Sequence, residues 1–163
     1  MSSKMIGIAG RPGSDKSSLV VDLVGELSRR GLTVSTMIGV DDPAAIDQPG
    51  KDSFRHRDAG AEEVMVTSAQ RWALIHGGGV ENHETLAQMT PVDLVITEDM
   101  GGDSYPLIEV YRVATEMPPL GRDDPAIVAV VSDGPLDGLK KPVIDLDDLP
   151  AVADFIVAHM DLA

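Results

Sequence analysis

The eight residues Gly10-Arg11-Pro12-Gly13-Ser14-Asp15-Lys16-Ser17 set an ammonium group and a hydroxyl side by side after a glycine-bearing turn. They follow the G-x-x-x-x-G-K-[ST] pattern with one departure, Asp15, which stands where the second glycine belongs. The chemistry served by this spacing is the holding of a polyphosphate. Lys16 would reach the β- and γ-phosphates as a point charge, and Ser17 would offer its hydroxyl to Mg²⁺. Free backbone N–H groups and the dipole of a helix starting there favour the same anion. Asp15 opposes it, because a carboxylate about 4 Å from a phosphate charge costs on the order of 4 kcal/mol at an effective dielectric near 20, roughly a thousandfold in affinity. It also puts a Cβ where backbone should come close to phosphate. The conflict is relieved if the carboxylate turns outward or pairs with Lys16. A plain capped strand-to-helix turn is the other account of these residues.

Further along, Glu98 ends an apolar strand and is a candidate for a Mg²⁺-associated or water-positioning carboxylate, with Asp99 competing for the role. Lys51 and Arg57 are donors for phosphate if the Pro49-Gly50 turn folds toward it. Asp52 and Ser53 read equally as helix N-caps, each worth about 1 kcal/mol. Asp133 follows a buried strand, where its carboxylate would accept the N1 and N2 donors of guanine; Asp-Gly-Pro is also a strong turn signal. Trp72 reads as packing or a dimer contact before a base-stacking platform. The methionines read as core fillers.

Those residues need a scaffold that presents strand ends and helix starts together. Short β-branched runs alternating with helical stretches predict an α/β domain with a mostly parallel sheet. Strands are expected at 4–9, 33–38, 63–68, 71–75, 94–98, 107–111, 127–131 and 143–145, and helices at 17–30, 52–59 and 148–160. In the first helix Leu19, Val20, Leu23, Val24 and Leu27 recur at helical spacing, and Gly31 stands where a C-terminal cap would. In the last, Leu149, Val152, Phe155, Ile156 and Met160 share a face. The stretches 41–51, 77–84 and 116–125 read as irregular.

At 163 residues the chain fits one domain. Hydrophobic residues make up 43% and charged residues 25%, and no apolar run reaches the roughly 20 residues of a membrane-spanning helix, so no membrane role is expected. The opening Met1-Ser2-Ser3-Lys4 does not read as a secretory leader, which gives a cytoplasmic expectation. A net charge of −14 repels polyanions and argues against nucleic acid. The lack of cysteine removes thiolate ligands, iron–sulfur clusters and cysteine nucleophiles; the four histidines show no metal-ligand spacing.

The run Asp47-Gln48-Pro49-Gly50-Lys51-Asp52-Ser53-Phe54-Arg55-His56-Arg57-Asp58-Ala59-Gly60-Ala61 closely resembles the signature D-x-P-G-K-D-S-x-x-x-R-x-A-G-A of protein B of molybdopterin-guanine dinucleotide biosynthesis. The similarity continues through Ser68-Ala69-Gln70-Arg71-Trp72-Ala73-Leu74, Asp93 to Glu98, Val128 to Leu136 and the Ala153-Asp154-Phe155 helix. This resemblance implies a P-loop NTPase-like three-layer α/β/α fold, mostly parallel with some antiparallel strands. It implies a GTP- and Mg²⁺-binding cytoplasmic protein, usually a homodimer, with at most slow GTPase activity. Such a protein assists the guanylyltransferase that joins GMP to molybdenum-bound pterin. The positions carried over are Gly10, Gly13, Lys16, Ser17 and Ser18, the Pro49 to Ser53 loop with Arg57, and Glu98.

Three departures stand out. The family's second loop glycine is Asp15. Its K-H-T-H-H run is Ile38-Gly39-Val40-Asp41-Asp42 here, and its V-E-G-F-K run is Thr97-Glu98-Asp99-Met100-Gly101. Each removes positive charge or adds negative charge near the expected phosphates, so an adaptor that has lost nucleotide turnover is the competing function. A general P-loop kinase or ATPase is a third, disfavoured by the lack of an arginine-rich lid.

Overall fold

The computed structural model describes residues 3–79, 82–100 and 104–162. In chain order the elements are β1 (Lys4–Ala9), α1 (Lys16–Arg29), β2 (Val34–Ile38), α2 (Asp52–Asp58), β3 (Glu63–Thr67) and β4 (Trp72–His76). There follow α3 (Asn82–Ala87), β5 (Leu94–Glu98), β6 (Leu107–Tyr111), β7 (Ile127–Ser132), β8 (Val143–Asp145) and α4 (Leu149–His159). Each expected strand and helix forms to within one or two residues at its ends. The short α3 was not anticipated: it begins inside the stretch 77–84 expected to be irregular, of which residues 80 and 81 lie outside the described ones. Two compact units result, Met1–Gly39 with Pro91–Ala163, and Val40–Thr90.

The first unit holds a six-stranded sheet in the order β2-β5-β1-β6-β7-β8, with every pairing parallel. β1 is the switch point: the chain leaves it for β2 on one side and later returns to its other side as β6. In open α/β sheets the ligand crevice lies outside the carboxyl ends of the strands at such a point, which is where residues 10–17 emerge.

One face of the sheet is closed by the two long helices. Ile6 and Ile8 of β1, Leu94 and Ile96 of β5, Ile108 and Val110 of β6 and Val131 of β7 pack with Leu19, Val20, Leu23 and Leu27 of α1 and Val152, Ala153 and Ile156 of α4. Apart from Ala153 the helix residues belong to the stripes read from the sequence, whose Val24, Leu149, Phe155 and Met160 are partly buried against the same core, and each large side chain fully buried contributes about 1.5–3 kcal/mol. Gly31 ends α1 as expected, at φ +89°, with Leu32 N–H donating back to Leu27 O at 3.2 Å. Asp148 caps α4 by accepting from Ala151 N–H at 3.1 Å.

Strand residues of the other parity face away from α1. Among them is Glu109, fully buried, whose carboxylate accepts the backbone N–H groups of Leu120 (2.8 Å) and Gly121 (2.7 Å) from a 3-10 turn at Leu120–Arg122. A side chain at position 121 would collide with Val130, which explains the glycine.

In the second unit β3 and β4 form an antiparallel hairpin, with Val64 opposite Ile75, Met65 opposite Leu74 and Thr67 opposite Trp72. Val64 is buried, but Met65 (60%), Trp72 (66%) and Leu74 (40%) are exposed on one face. Trp72 therefore does not pack in this chain's core. The default for the methionines also fails: of the described ones only Met37 is buried, because the β-branched strands already fill the interior.

Candidate functional site

The turn after β1 is a fitted strand-to-helix connection. A Cβ at Gly10 would sit 2.5 Å from Ser14 Oγ and 2.7 Å from Val110 O, so no side chain fits there. Gly13 adopts φ +80°. Asp15 takes φ 65°, ψ 37° as the residue before α1, a left-handed conformation that aspartate tolerates better than most residues. It caps nothing: α1 begins without a side-chain cap and without an acidic residue in its first turn. The amides of that turn are thus left to an outside acceptor. Ser14 is 2% exposed, and its Oγ has no hydrogen-bond partner among the described residues. A buried orphan hydroxyl in a loop of free amides fits an oxyanion ligand.

The charged groups divide into pairs. Lys16 Nζ donates to Gly10 O at 3.2 Å and lies 3.5 Å from Asp99 Oδ1. Ser17 donates to Glu98, a carboxylate 6% exposed at the end of β5. Register explains the meeting, since Glu98 pairs with Ile8 of β1, two residues before the turn. Hydroxyl and carboxylate are therefore together where a divalent cation would be shared with a phosphate. Ser18 is exposed in the first turn of α1.

Asp15 has turned outward, and Lys16 is not its partner. Its Oδ2 lies 2.9 Å from Arg112 Nη2, and Arg112 Nη1 lies 3.5 Å from Asp133 Oδ2. Asp133 Oδ1 accepts the Val113 N–H at 2.8 Å, so both of its oxygens are engaged within the chain. Arg112 was missed in the sequence, where the available clue was a basic residue directly after a strand end in an acidic chain.

Asp99 also has a left-handed backbone, φ 52°. Asp15 and Asp99 thus share a positive φ. Gly39 is tied to the same corner, for its Cβ would meet Asp99 O at 2.1 Å. Gly101 lies outside the described residues. A cavity of about 330 Å³ opens beside Gly10, lined also by Ala9, Thr97, Asp99, Tyr105 and Leu107.

Lys51, Asp52 and Arg57 belong to the second unit, where the signature holds itself together. Asp47, 6% exposed, accepts from Ser53 Oγ (3.1 Å) and Arg57 Nε (2.9 Å), and Arg57 lies over the Phe54 ring. The N-cap expectation is corrected: Lys51 precedes α2, without a side-chain cap, because Ser53 is bonded to Asp47 and Asp52 faces Arg55 at 3.4 Å. Lys51 is exposed.

The family model described as molybdopterin guanine dinucleotide synthesis protein B matches residues 5–133. The chain belongs to this family. The molybdopterin-guanine dinucleotide biosynthesis adapter protein of Haemophilus influenzae is 32% identical over 156 residues, 93% of this chain and 86% of that protein. The protein of the same name from Escherichia coli K12 is 30% identical over 163 residues, 96% and 93% of the two chains. A crystal structure of molybdopterin-guanine biosynthesis protein B superposes with a TM-score of 0.66 at 25% identity, covering 95% of this chain and 99% of that one. The MobB homolog from Bacillus stearothermophilus superposes with a TM-score of 0.66 at 21% identity over 98% and 99%, a likeness of fold. The expected fold class holds, a mostly parallel P-loop NTPase-like sheet with its antiparallel strands set apart as β3 and β4. Among the described residues no helix is long and apolar enough to cross a membrane.

Proposed function

We propose that this chain is a cytoplasmic nucleotide-binding adapter of molybdopterin-guanine dinucleotide biosynthesis, which holds GTP with Mg²⁺ and assists the guanylyltransferase acting on molybdopterin. The observation that carries the reading is Ser14: a buried hydroxyl without a partner among the described residues, in a turn whose helix-start amides are uncapped and whose flanks are Lys16 and the Ser17–Glu98 pair. Gly10, Gly13, Ser14, Lys16, Ser17 and Ser18 would surround the phosphates, and Ser17 with Glu98 would hold the metal. A bound Mg²⁺ would neutralise phosphate oxygens there. This chain's own contribution is orientation: Lys16 is directed inward by Gly10 O, and Glu98 is fixed by its strand.

The adaptor reading without turnover is favoured by one feature. Lys16 already faces the Asp99 carboxylate at 3.5 Å, so a phosphate must compete for the ammonium group. In either reading the exposed Met65, Trp72 and Leu74 face of the hairpin suits a second copy of the chain, because an isolated two-stranded ribbon is marginal in water.

Calorimetric titration of GTP, GDP and ATP with Mg²⁺ into wild type and Lys16→Ala tests the proposal. Binding that favours GTP and weakens at least about tenfold on loss of the ammonium group is expected. Absence of heat with every nucleotide would leave only the adaptor.

A further inference from the structure

We infer that Arg112 is a positioning residue of the phosphate loop, whose guanidinium neutralises Asp15 and directs it outward, so that an aspartate can occupy a glycine's place in the turn. For its ligand this rests on the nucleotide reading above; for the conformation of the loop it does not.

Three observations converge on Arg112. It follows β6 at the sheet's switch point and reaches sideways to Asp15 Oδ2 at 2.9 Å. Its other terminal nitrogen faces Asp133 Oδ2 at 3.5 Å, so one planar fork joins the loop after β1 to the loop after β7. The side chain of Asp15 opens into a cleft of about 270 Å³ that it lines with Ser18, Asp22, Arg112 and Asp147, whereas the cavity beside Gly10 is lined by Asp99 rather than Asp15. Three carboxylates and one guanidinium border that cleft. Without the guanidinium, Asp15 would be repelled by Asp22 and Asp147 and drawn toward the cations of the loop, Lys16 foremost. The left-handed backbone at position 15 would then lose the side-chain contact that accompanies it.

The test is a cycle of wild type, Arg112→Met, Asp15→Gly and the double variant. Two readouts are taken: amide hydrogen exchange over residues 13–18 without ligand, and calorimetric binding of GTP with Mg²⁺. In the wild-type background Arg112→Met should speed exchange and weaken GTP each by about tenfold; in the Asp15→Gly background each effect should fall below about twofold. Equal effects in both backgrounds would overturn the inference by showing that Arg112 acts independently of Asp15, and so would no effect in either. Failure of every protein to bind nucleotide would remove the functional reading alone, since the exchange cycle still decides the role of Arg112. Should Arg112→Met not fold, Arg112→Gln with Asp15→Asn supplies the same cycle, glutamine keeping a polar side chain but not the charge.

Discussion

Replacing Asp15 by glycine restores the loop's usual residue, and the size of the gain reports how completely Arg112 silences the carboxylate. An unpaired charge about 4 Å from a phosphate would cost on the order of 4 kcal/mol at an effective dielectric of 20. Held outward by Arg112 at 2.9 Å and open to solvent, the carboxylate acts through a dielectric near that of water, where the same separation costs about 1 kcal/mol. Arg112 is present in both proteins, so only that screened term is removed, and Asp15→Gly should bind GTP about fivefold more tightly at low salt, not a thousandfold. The gain should shrink in 0.5 M salt, because the Asp15 side chain is 61% exposed and such charges are screened. Stability should move by less than about 1 kcal/mol. Glycine relieves the left-handed backbone, while its freer unfolded state and the lost surface pair act the other way. Isothermal titration at two salt concentrations with parallel urea unfolding provides the measurement. A thousandfold gain would show the Arg112 pair to be unoccupied in solution, and an unchanged affinity would show that the position has no electrostatic line to the ligand.

The buried Glu109 gives a second prediction: Glu109→Gln turns one acceptor toward a backbone N–H into a donor, and urea unfolding should register a loss of about 2–3 kcal/mol at constant m. Acid titration of stability gives a third. Hydrogen bonding from Arg30, and attraction by Arg29 and Arg30, hold the Glu26 carboxyl below the ordinary glutamate range, and the Thr33 hydroxyl and N–H lower Asp93 likewise. Both are depressed in the folded state, so their stabilisation is complete above the ordinary carboxylate range near pH 4 and is lost as pH falls through the lower folded values. Glu26→Gln should flatten that acid limb in denaturant midpoints taken from pH 6 to 3. Last, Trp72→Glu should shift the sedimenting species from dimer toward monomer with GTP affinity unchanged within about twofold; a single species in both proteins at every concentration would remove the hairpin from the dimer reading.

Much of the scaffold could be read from residue order, because its signals are local. Short β-branched runs gave β1, β5 and β7 and period-3.6 stripes gave α1 and α4, and most of those side chains are now buried. The roles in the site were less legible, since they depend on which strand ends become neighbours. Glu98 meets Ser17 across 81 residues of sequence and Arg112 meets Asp15 across 97, separations over which spacing carries no information. The strand order, with β1 between β5 and β6, creates both meetings. The signature around Asp47 is held by contacts of its own. Its residue types suit phosphate binding, yet Asp47, Ser53 and Arg57 satisfy one another.

The two acidic replacements also show why counting charges overstates the damage to the site. A cradle of backbone N–H groups depends on φ and ψ, and aspartate is among the few side chains that accept the positive φ required at positions 15 and 99. At both positions aspartate therefore fits the backbone of the turn while adding negative charge to its field. That field is compensated locally, Asp15 by Arg112 and Asp99 by Lys16, each within 3.5 Å. The two pairs differ in consequence. Arg112 lies outside the turn and can stay paired while a phosphate binds, whereas Lys16 is the cation the phosphate itself needs. If the loop holds nucleotide as proposed, Asp99, not the more conspicuous Asp15, is the residue that would compete with it directly.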